Sequence, residues 1–405
     1  MAKLRNYFFD KDIYKSPIYL SFVCFFFGLF FSRALLSISI ILILAASVHS
    51  LYISKEKRLN YFSLAFIPFY LILLLSHWNS TNYNYWLNLT FKNSIFLILP
   101  LAFFFLNKIK DKIILSALNI FLGLTLTTAV INSIYALINY NLISNLALNS
   151  KTLNPLIGSN FHDISLIYAI TIVYLSYQLI KYKKLNYLNL SAFLILGICI
   201  TILSYRFALI IFMLSGFIVF ISYLNFSKQL IFKSIVLILI FSLALFYIPL
   251  VNRFRTTMYD LKSIYGDVNP NYKSLGQRWA AIKCSTEIIK KNPFIGVGAA
   301  DLPLEMEKQY EQNSYLLIPE NRIFIHNQFF YYAASFGLLG LLCFLGFLGF
   351  LINRLFSHKQ FLGLAILTVF LAQMLIENSL EIQIPSYLFL ILMLGFSAKN
   401  DKIYS

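Results

Sequence analysis

The chain has 405 residues, of which 59% are hydrophobic, 18% aromatic and only 12% charged, with a mean hydropathy of +0.74. A soluble domain carries roughly twice that charged fraction, so a soluble fold is excluded. The formal charge of +17 would suit a nucleic-acid partner, but the basic residues sit in short clusters between apolar runs; that is a topology signal and argues against nucleic acid.

Met1 to Ser16 is a mixed polar stretch with Lys3, Arg5, Asp10, Lys11, Asp12 and Lys15. It lacks the short apolar core and small-residue cleavage site of a removable signal, so a retained, cytoplasmic N-terminus is expected. A spanning helix needs about 17–25 mostly apolar residues. Such runs predict spans near 17–32, 34–53, 61–78, 86–106, 113–138, 161–180, 187–204, 206–224, 230–250, 328–352, 360–376 and 382–398. The expected fold is all-α: a polytopic integral membrane protein of about twelve transmembrane helices, with a large helical loop between helices 9 and 10. This organisation gives an N-terminal membrane region over residues 1–250, a loop over 251–327 and a C-terminal membrane region over 328–405.

Orientation follows from the positive-inside rule. With the N-terminus inside, the cytoplasmic segments hold the N-terminal cluster, Lys55-Glu56-Lys57-Arg58, Lys108, Lys110 and Lys112, Lys181, Lys183 and Lys184, Lys228 and Lys233, Arg354 and Lys359, and Lys399 and Lys402. The short outer segments hold only Arg33, Lys92, Lys151 and Arg206. An odd number of helices precedes the large loop, which places it outside, and an even total returns the C-terminus to the cytoplasm. The expected location is a bacterial inner membrane with the large loop in the periplasm.

Within the loop, Ser274 followed by Gln277 reads as a capping box. It predicts a helix over 275–291 with Trp279, Ile282 and Ile289 on one face. Asn292-Pro293 would end that helix, and Gly296-Val297-Gly298 would make a turn. A second short helix is predicted over 302–312, and both helices are expected to lie on the membrane surface. Cys24, Cys199 and Cys343 lie inside apolar runs and Cys284 is alone in the loop, so the cysteines read as small buried hydrophobes and form no disulfide framework.

Charges inside a bilayer are costly, so their positions are informative. Outside the cytoplasmic clusters and the loop, the ionisable residues collect at outer helix ends: Arg33, His77, His162, Asp163, Arg206, Glu377 and Glu381, joined by His326 where the loop re-enters the membrane. The helix centres are almost free of charge, which argues for a site at the outer face and against an ion relay across the midplane. Arg206 reads either as a fixed cation for a phosphate, which guanidinium binds in a planar fork, or as an interfacial arginine reaching for water. Arg278, in the first turn of the predicted loop helix, opposes the helix dipole; an anion site would accept that cost, as would a merely exposed side chain. A histidine side chain can act as a proton acceptor, which suits His326 to activation of a hydroxyl, or it is an interfacial ring. No second histidine stands at metal-ligand spacing, so no zinc site is expected. Asp301, Glu305, Glu307 and Glu311 read as a solvated helix face in preference to a divalent-cation site. His162, Asp163, Glu377 and Arg322 are supporting candidates. His49 and His358, near the cytoplasmic side, carry no expected role.

Three segments then resemble the O-antigen ligase family, whose wider superfamily includes O-antigen polymerases and protein O-oligosaccharyltransferases. They are Ser204-Tyr205-Arg206; Ser274-Leu275-Gly276-Gln277-Arg278-Trp279 continuing to Lys291-Asn292-Pro293-Phe294-Ile295-Gly296-Val297-Gly298; and His326-Asn327 followed by Phe336-Gly337-Leu338-Leu339-Gly340. The resemblance implies a glycosyltransferase that moves a glycan from undecaprenyl pyrophosphate to an acceptor hydroxyl, in ligases that of lipid A-core. It implies Arg206 and Arg278 as pyrophosphate ligands, His326 as general base, and no metal, nucleotide or other cofactor. Tyr205 and Phe207 are bulkier than the family's usual residues beside that arginine. Direct displacement at the anomeric carbon would invert its configuration, with the carrier's lipid tail among helices and membrane lipids. A polymerase, with a second lipid-linked glycan as acceptor, remains the alternative. A transporter or flippase would show internal repeats, helices broken by glycine and proline, and polar midplane residues. The large loop is expected to act as the lid of the site, bringing Arg278 toward Arg206 and His326.

Overall fold

The computed structural model describes residues 16–54, 59–106, 111–138, 161–182, 187–203, 205–223, 258, 260–262, 269–313 and 317–397. The predicted span 230–250, the N-terminal stretch before Ser16, Ser204 and the first part of the large loop lie outside these residues, apart from the few positions named. Among the described residues every regular element is helical and there is no strand.

In chain order the helices are α1 (Pro17–Phe31), α2 (Arg33–Ile53), α3 (Ile67–Leu75), α4 (Tyr83–Lys92), α5 (Ile95–Phe105), α6 (Asp111–Ile138), α7 (Phe161–Tyr182), α8 (Tyr187–Leu203), α9 (Arg206–Tyr223), α10 (Ser274–Lys291), α11 (Leu302–Gln312), α12 (Gln328–Ser357), α13 (Phe361–Met374) and α14 (Gln383–Ser397). Among the described residues six stretches are long and apolar enough to cross a membrane, and five shorter apolar helices accompany them. The chain is a multi-pass helical membrane protein. The tight turn expected at 33 is real: extended Ser32 separates α1 from α2, and its hydroxyl caps the Leu35 amide at 3.2 Å. Two predicted spans are composite. Short 3-10 turns, Tyr61–Phe66 and Ser76–Asn79, flank α3. The span predicted at 86–106 divides at Asn93-Ser94 into α4 and α5. There the Asn93 carboxamide donates to the Leu89 carbonyl at 3.1 Å, the kind of local side-chain bond that competes with a continuing helix.

The described residues cluster into two compact units, each drawn from separated stretches of chain. The first takes residues from Met1–Leu59, Phe105–Val251 and Phe361–Val369. Its most enclosed element is α7, where Ile164, Leu166, Ile167, Tyr168, Ala169 and Ile172 are buried. Polar side chains tie α7 to α6: Asn132 Nδ2 donates to Tyr168 Oη at 3.4 Å, Thr171 Oγ1 to Thr125 Oγ1 at 3.3 Å and Tyr174 Oη to Asn119 Oδ1 at 3.4 Å. Such bonds hold apolar helices together where hydrophobicity gives no preference for helix over lipid.

The second unit comprises Asn60–Phe104, Asn252–Gln360 and Phe370–Ser405. Its core is aromatic, with Phe69 and Phe347 edge-to-face at 4.5 Å and Tyr332 stacked on Phe344 at 4.4 Å. Both loop helices lie here, within a residue of their predicted ends. The capping box does not form: α10 starts one residue early, so Ser274 is already helical, and the Gln277 amide donates to Asn321 Oδ1 at 3.0 Å instead. The buried face of α10 is Gly276, Ala280, Cys284 and Ile288, with Ala281 and Ser285 beside them; Trp279 is exposed. Small residues rather than the large predicted ones let α10 approach its neighbours.

The Gly-rich turn after α10 has a specific function in the architecture. Helix α12 breaks at Gly337, which adopts φ 66° and ψ −168°. In an unbroken helix the amides of Leu338 and Leu339 would bond the carbonyls of Ala334 and Ser335. Here the turn satisfies all four groups. Val297 N donates to Ala334 O at 3.0 Å and Gly298 N to Ser335 O at 2.9 Å, while Pro293 O and Phe294 O accept from Leu338 N at 2.7 Å and Leu339 N at 3.2 Å. A Cβ on Gly337 would stand 2.2 Å from the Phe294 carbonyl, and one on Gly296 2.4 Å from that of Ser335. The turn therefore replaces one helical turn's hydrogen bonds, and the two motif segments interlock through glycine.

Candidate functional site

The site in the second unit is built by the start of α12. Asn327 is its N-cap, with Oδ1 accepting from Phe329 N at 3.0 Å and Phe330 N at 3.1 Å. Its Nδ2 donates to Leu375 O at 2.9 Å, and the buried Gln328 accepts from Leu380 N through Oε1 at 2.8 Å. These two residues pin the segment between α13 and α14 against the residue that precedes α12's cap, His326.

Glu377 lies at the centre of that segment, with only 2% of its side chain exposed. One carboxylate oxygen is 2.6 Å from His326 Nδ1 and the other 2.8 Å from Arg278 Nη2. Arg278 Nη1 also donates to Ile376 O at 2.8 Å. A carboxylate so buried would be costly without partners, and here it has a guanidinium and an imidazole. With a neutral ring, Nδ1–H donates to Glu377, and Nε2 becomes the proton acceptor on a side chain that is 32% exposed. Arg278 is partly exposed and keeps N–H groups beyond the two engaged ones. The arrangement can accept a proton at Nε2, stabilise the resulting imidazolium through Glu377, and offer guanidinium donors close by.

Arg278, His326 and Glu377 are thus brought together, whereas Arg322 is placed differently: its guanidinium pairs with Glu307 and lies over the Tyr310 ring at 5.9 Å. The acidic stretch is divided among separate tasks. Asp301 accepts from the backbone amides of Thr81 at 2.6 Å and Asn82 at 3.0 Å, and Glu305 pairs with Lys308 at 2.6 Å. Among the described residues no group of three or more His, Cys, Asp or Glu side chains is placed to hold a metal ion. Glu381, four residues past Glu377, accepts from Asn93 Nδ2 at 3.4 Å. Burial raises its carboxyl pKa, against the opposing pull of Lys92 and Asn93.

The remaining candidates belong to the first unit. Arg206 opens α9, immediately after Tyr205, whose buried ring packs 5.7 Å from that of Tyr168. The bulk of Tyr205 therefore serves the helix packing around it. Two residues into α9, the Ala208 amide donates to Ser165 Oγ at 3.2 Å. His162 and Asp163 lie in the first turn of α7, where a carboxylate suits the helix dipole, and Asp163 is buried. Asn327 and Gln328, which position the His326 segment, carry no expected role in the sequence. Their signal was three consecutive polar residues, His326-Asn327-Gln328, opening a long apolar helix.

Residues 191–345 match a family model described as O-Antigen ligase. No curated protein matches the chain. The matched segment contains Arg206, Arg278, His326 and both halves of the glycine interlock, and ends before Glu377. The match supports the resemblance that those motifs carry: over residues 191–345 the chain is similar to the O-antigen ligase family.

Proposed function

We propose that the protein is an O-antigen ligase that transfers a glycan from undecaprenyl pyrophosphate to a hydroxyl of lipid A-core at the periplasmic face of the inner membrane. The observation that carries this reading is the buried Glu377 holding His326 through Nδ1 and Arg278 through Nη2. His326 Nε2 takes the proton of the acceptor hydroxyl, and the hydroxyl oxygen attacks the anomeric carbon. As that C–O bond forms, the bond to the carrier's phosphate oxygen breaks and the pyrophosphate leaves with the electron pair. The displacement inverts the anomeric configuration. Glu377 sets the tautomer and stabilises the imidazolium, as a carboxylate does behind a catalytic histidine elsewhere.

Arg278 stabilises the departing pyrophosphate. Glu377 already compensates its charge, so it acts more through directed N–H donors than through net charge. Arg206 takes the second pyrophosphate role on the strength of the family resemblance, which also implies that arginines rather than a metal meet the phosphate charge. The test is a deletion strain. Loss of a ligase leaves full-length polymer on the carrier and none on lipid A-core, which is the expected result. Lipid A-core bearing a single repeat unit would identify a polymerase instead.

A further inference from the structure

The turn that closes the break in α12 has an unusual surface. Phe294 is 68% exposed and Ile295 61%. Their neighbours across the interlock, Leu338 and Leu339, are exposed too, and Leu342 and Leu345 continue the same apolar strip along α12. The hydrogen bonds from Leu338 to Pro293 and from Leu339 to Phe294 make the loop and helix parts one contiguous patch. A patch continuous with the exposed face of a spanning helix has an occupant already at hand, the acyl chains around that helix.

Length gives an independent measure of depth. From Gly337 to Ser357 the helix runs for about 30 Å at 1.5 Å per residue, the thickness of the hydrocarbon core. Arg354, His358 and Lys359 mark its other end. Gly337 and the turn locked to it then fall at the opposite hydrocarbon boundary. The surroundings agree. Lys290 and Lys291, exposed just before the turn, can extend to headgroups. On the other side Asn79 Nδ2 donates to Gly296 O at 2.6 Å, and the exposed Trp78, Tyr83 and Tyr85 flank that contact in sequence as interfacial aromatics do.

Non-helical backbone enters lipid only if its polar groups are satisfied. In this turn Pro293 has no N–H, the carbonyls of Pro293, Phe294 and Gly296 accept hydrogen bonds, and the amides of Gly296, Val297 and Gly298 donate them, which leaves the Phe294 and Ile295 amides to the polar side of the boundary. We propose that Pro293–Gly298 is a membrane-seated wedge, with Phe294 and Ile295 inserted among phospholipid acyl chains at the boundary of the leaflet where α12 breaks. The wedge sets the height of α10, and with it Arg278, relative to the membrane surface.

The experiment uses full-length protein in phospholipid vesicles, with Cys343→Ser removing an exposed thiol. Phe294→Cys and, separately, Ile295→Cys are labelled with an environment-sensitive fluorophore. Leu339→Cys serves as the lipid reference and Leu304→Cys, exposed on α11, as the aqueous one. The expected result is quenching at 294 and 295 by nitroxide on shallow acyl-chain positions, matching 339, with iodide quenching several-fold weaker than at 304. Iodide quenching equal to that at 304, with no effect of lipid nitroxide at either position, would overturn the proposal. Two labelled positions keep the answer independent of any one substitution's effect on folding.

Discussion

Two arginines of the large loop each pair with a glutamate, and the pairs differ in what surrounds them. Arg278 reaches a glutamate that is 2% exposed and also holds a histidine. Arg322 reaches Glu307, whose side chain is 52% exposed, and covers a tyrosine ring. Arg322 is itself only 13% exposed, so the contrast lies in the carboxylates: beside a half-exposed one, water screens the attraction and little stability is gained. Around a buried carboxylate, each partner's removal leaves an uncompensated charge, and the geometry of all three groups is fixed. The same two residue types therefore make a buried three-residue cluster in one place and a half-exposed tie in the other.

The largest effect is expected from breaking the buried pair at its centre. Glu377→Gln removes the carboxylate that orients His326, and transfer should fall by about 10²–10⁴-fold, the range for loss of general-base catalysis. Measuring transfer across pH separates this from misfolding, because a repositioned base changes the profile as well as the rate. Arg278→Lys replaces a planar fork with a point charge and cannot keep both bonds, to Glu377 and to Ile376 O. An intermediate loss of about 10–100-fold is expected, corresponding to roughly 1–3 kcal/mol for a disrupted buried bond.

Gly337→Ala tests the scaffold beneath the buried pair. The new Cβ would meet the Phe294 carbonyl in a backbone region that side chains avoid. A loss of about 1–3 kcal/mol or more is expected, read as a lower Tm in detergent. Glu307→Gln, at the half-exposed carboxylate, should cost less than about 1 kcal/mol and leave transfer unchanged. A loss of transfer as large as that of Glu377→Gln would erase the contrast between the two pairs. Cys284, on the buried face of α10, gives a pH test of the same packing. Burial pushes its thiol from 9.0 up to about 11, with Arg322 pulling the other way. The folded state thus favours the neutral thiol; its contribution is full below pH 9 and is lost as pH rises through about 11. Alkylation of Cys284 at pH 8 should be slow in the folded protein and fast once it is denatured.

Most helix positions were legible because each depends on a run of neighbouring apolar residues. The ends of α1, α2, α9, α10 and α11 fall within a residue or two of expectation. The breaks were less so. Asn93 and Gly337 interrupt apolar runs and have partners far away in sequence, Glu381 for one and Pro293–Gly298 for the other. Periodicity carries no record of those partners. The glycines at 296, 298 and 337 stood out as motif residues, but only the interlock explains why they occur together. In the site, the map of charges at outer helix ends already contained His326 and Glu377, and the loop motif contained Arg278. Their joining was not readable, because Glu377 is separated from the other two by 99 and 51 positions. The failed capping box teaches the same point in miniature: Ser274 and Gln277 have the right spacing, yet a tertiary partner, Asn321, claims the glutamine.

The central claim is that His326, held by Glu377, is the base for glycan transfer. Purified protein should be given a defined lipid-linked donor and lipid A-core acceptor, with donor binding measured alongside transfer. His326→Ala is expected to bind donor as the parent does and to transfer almost none; transfer at the parent's rate by that variant would show that His326 is not the base.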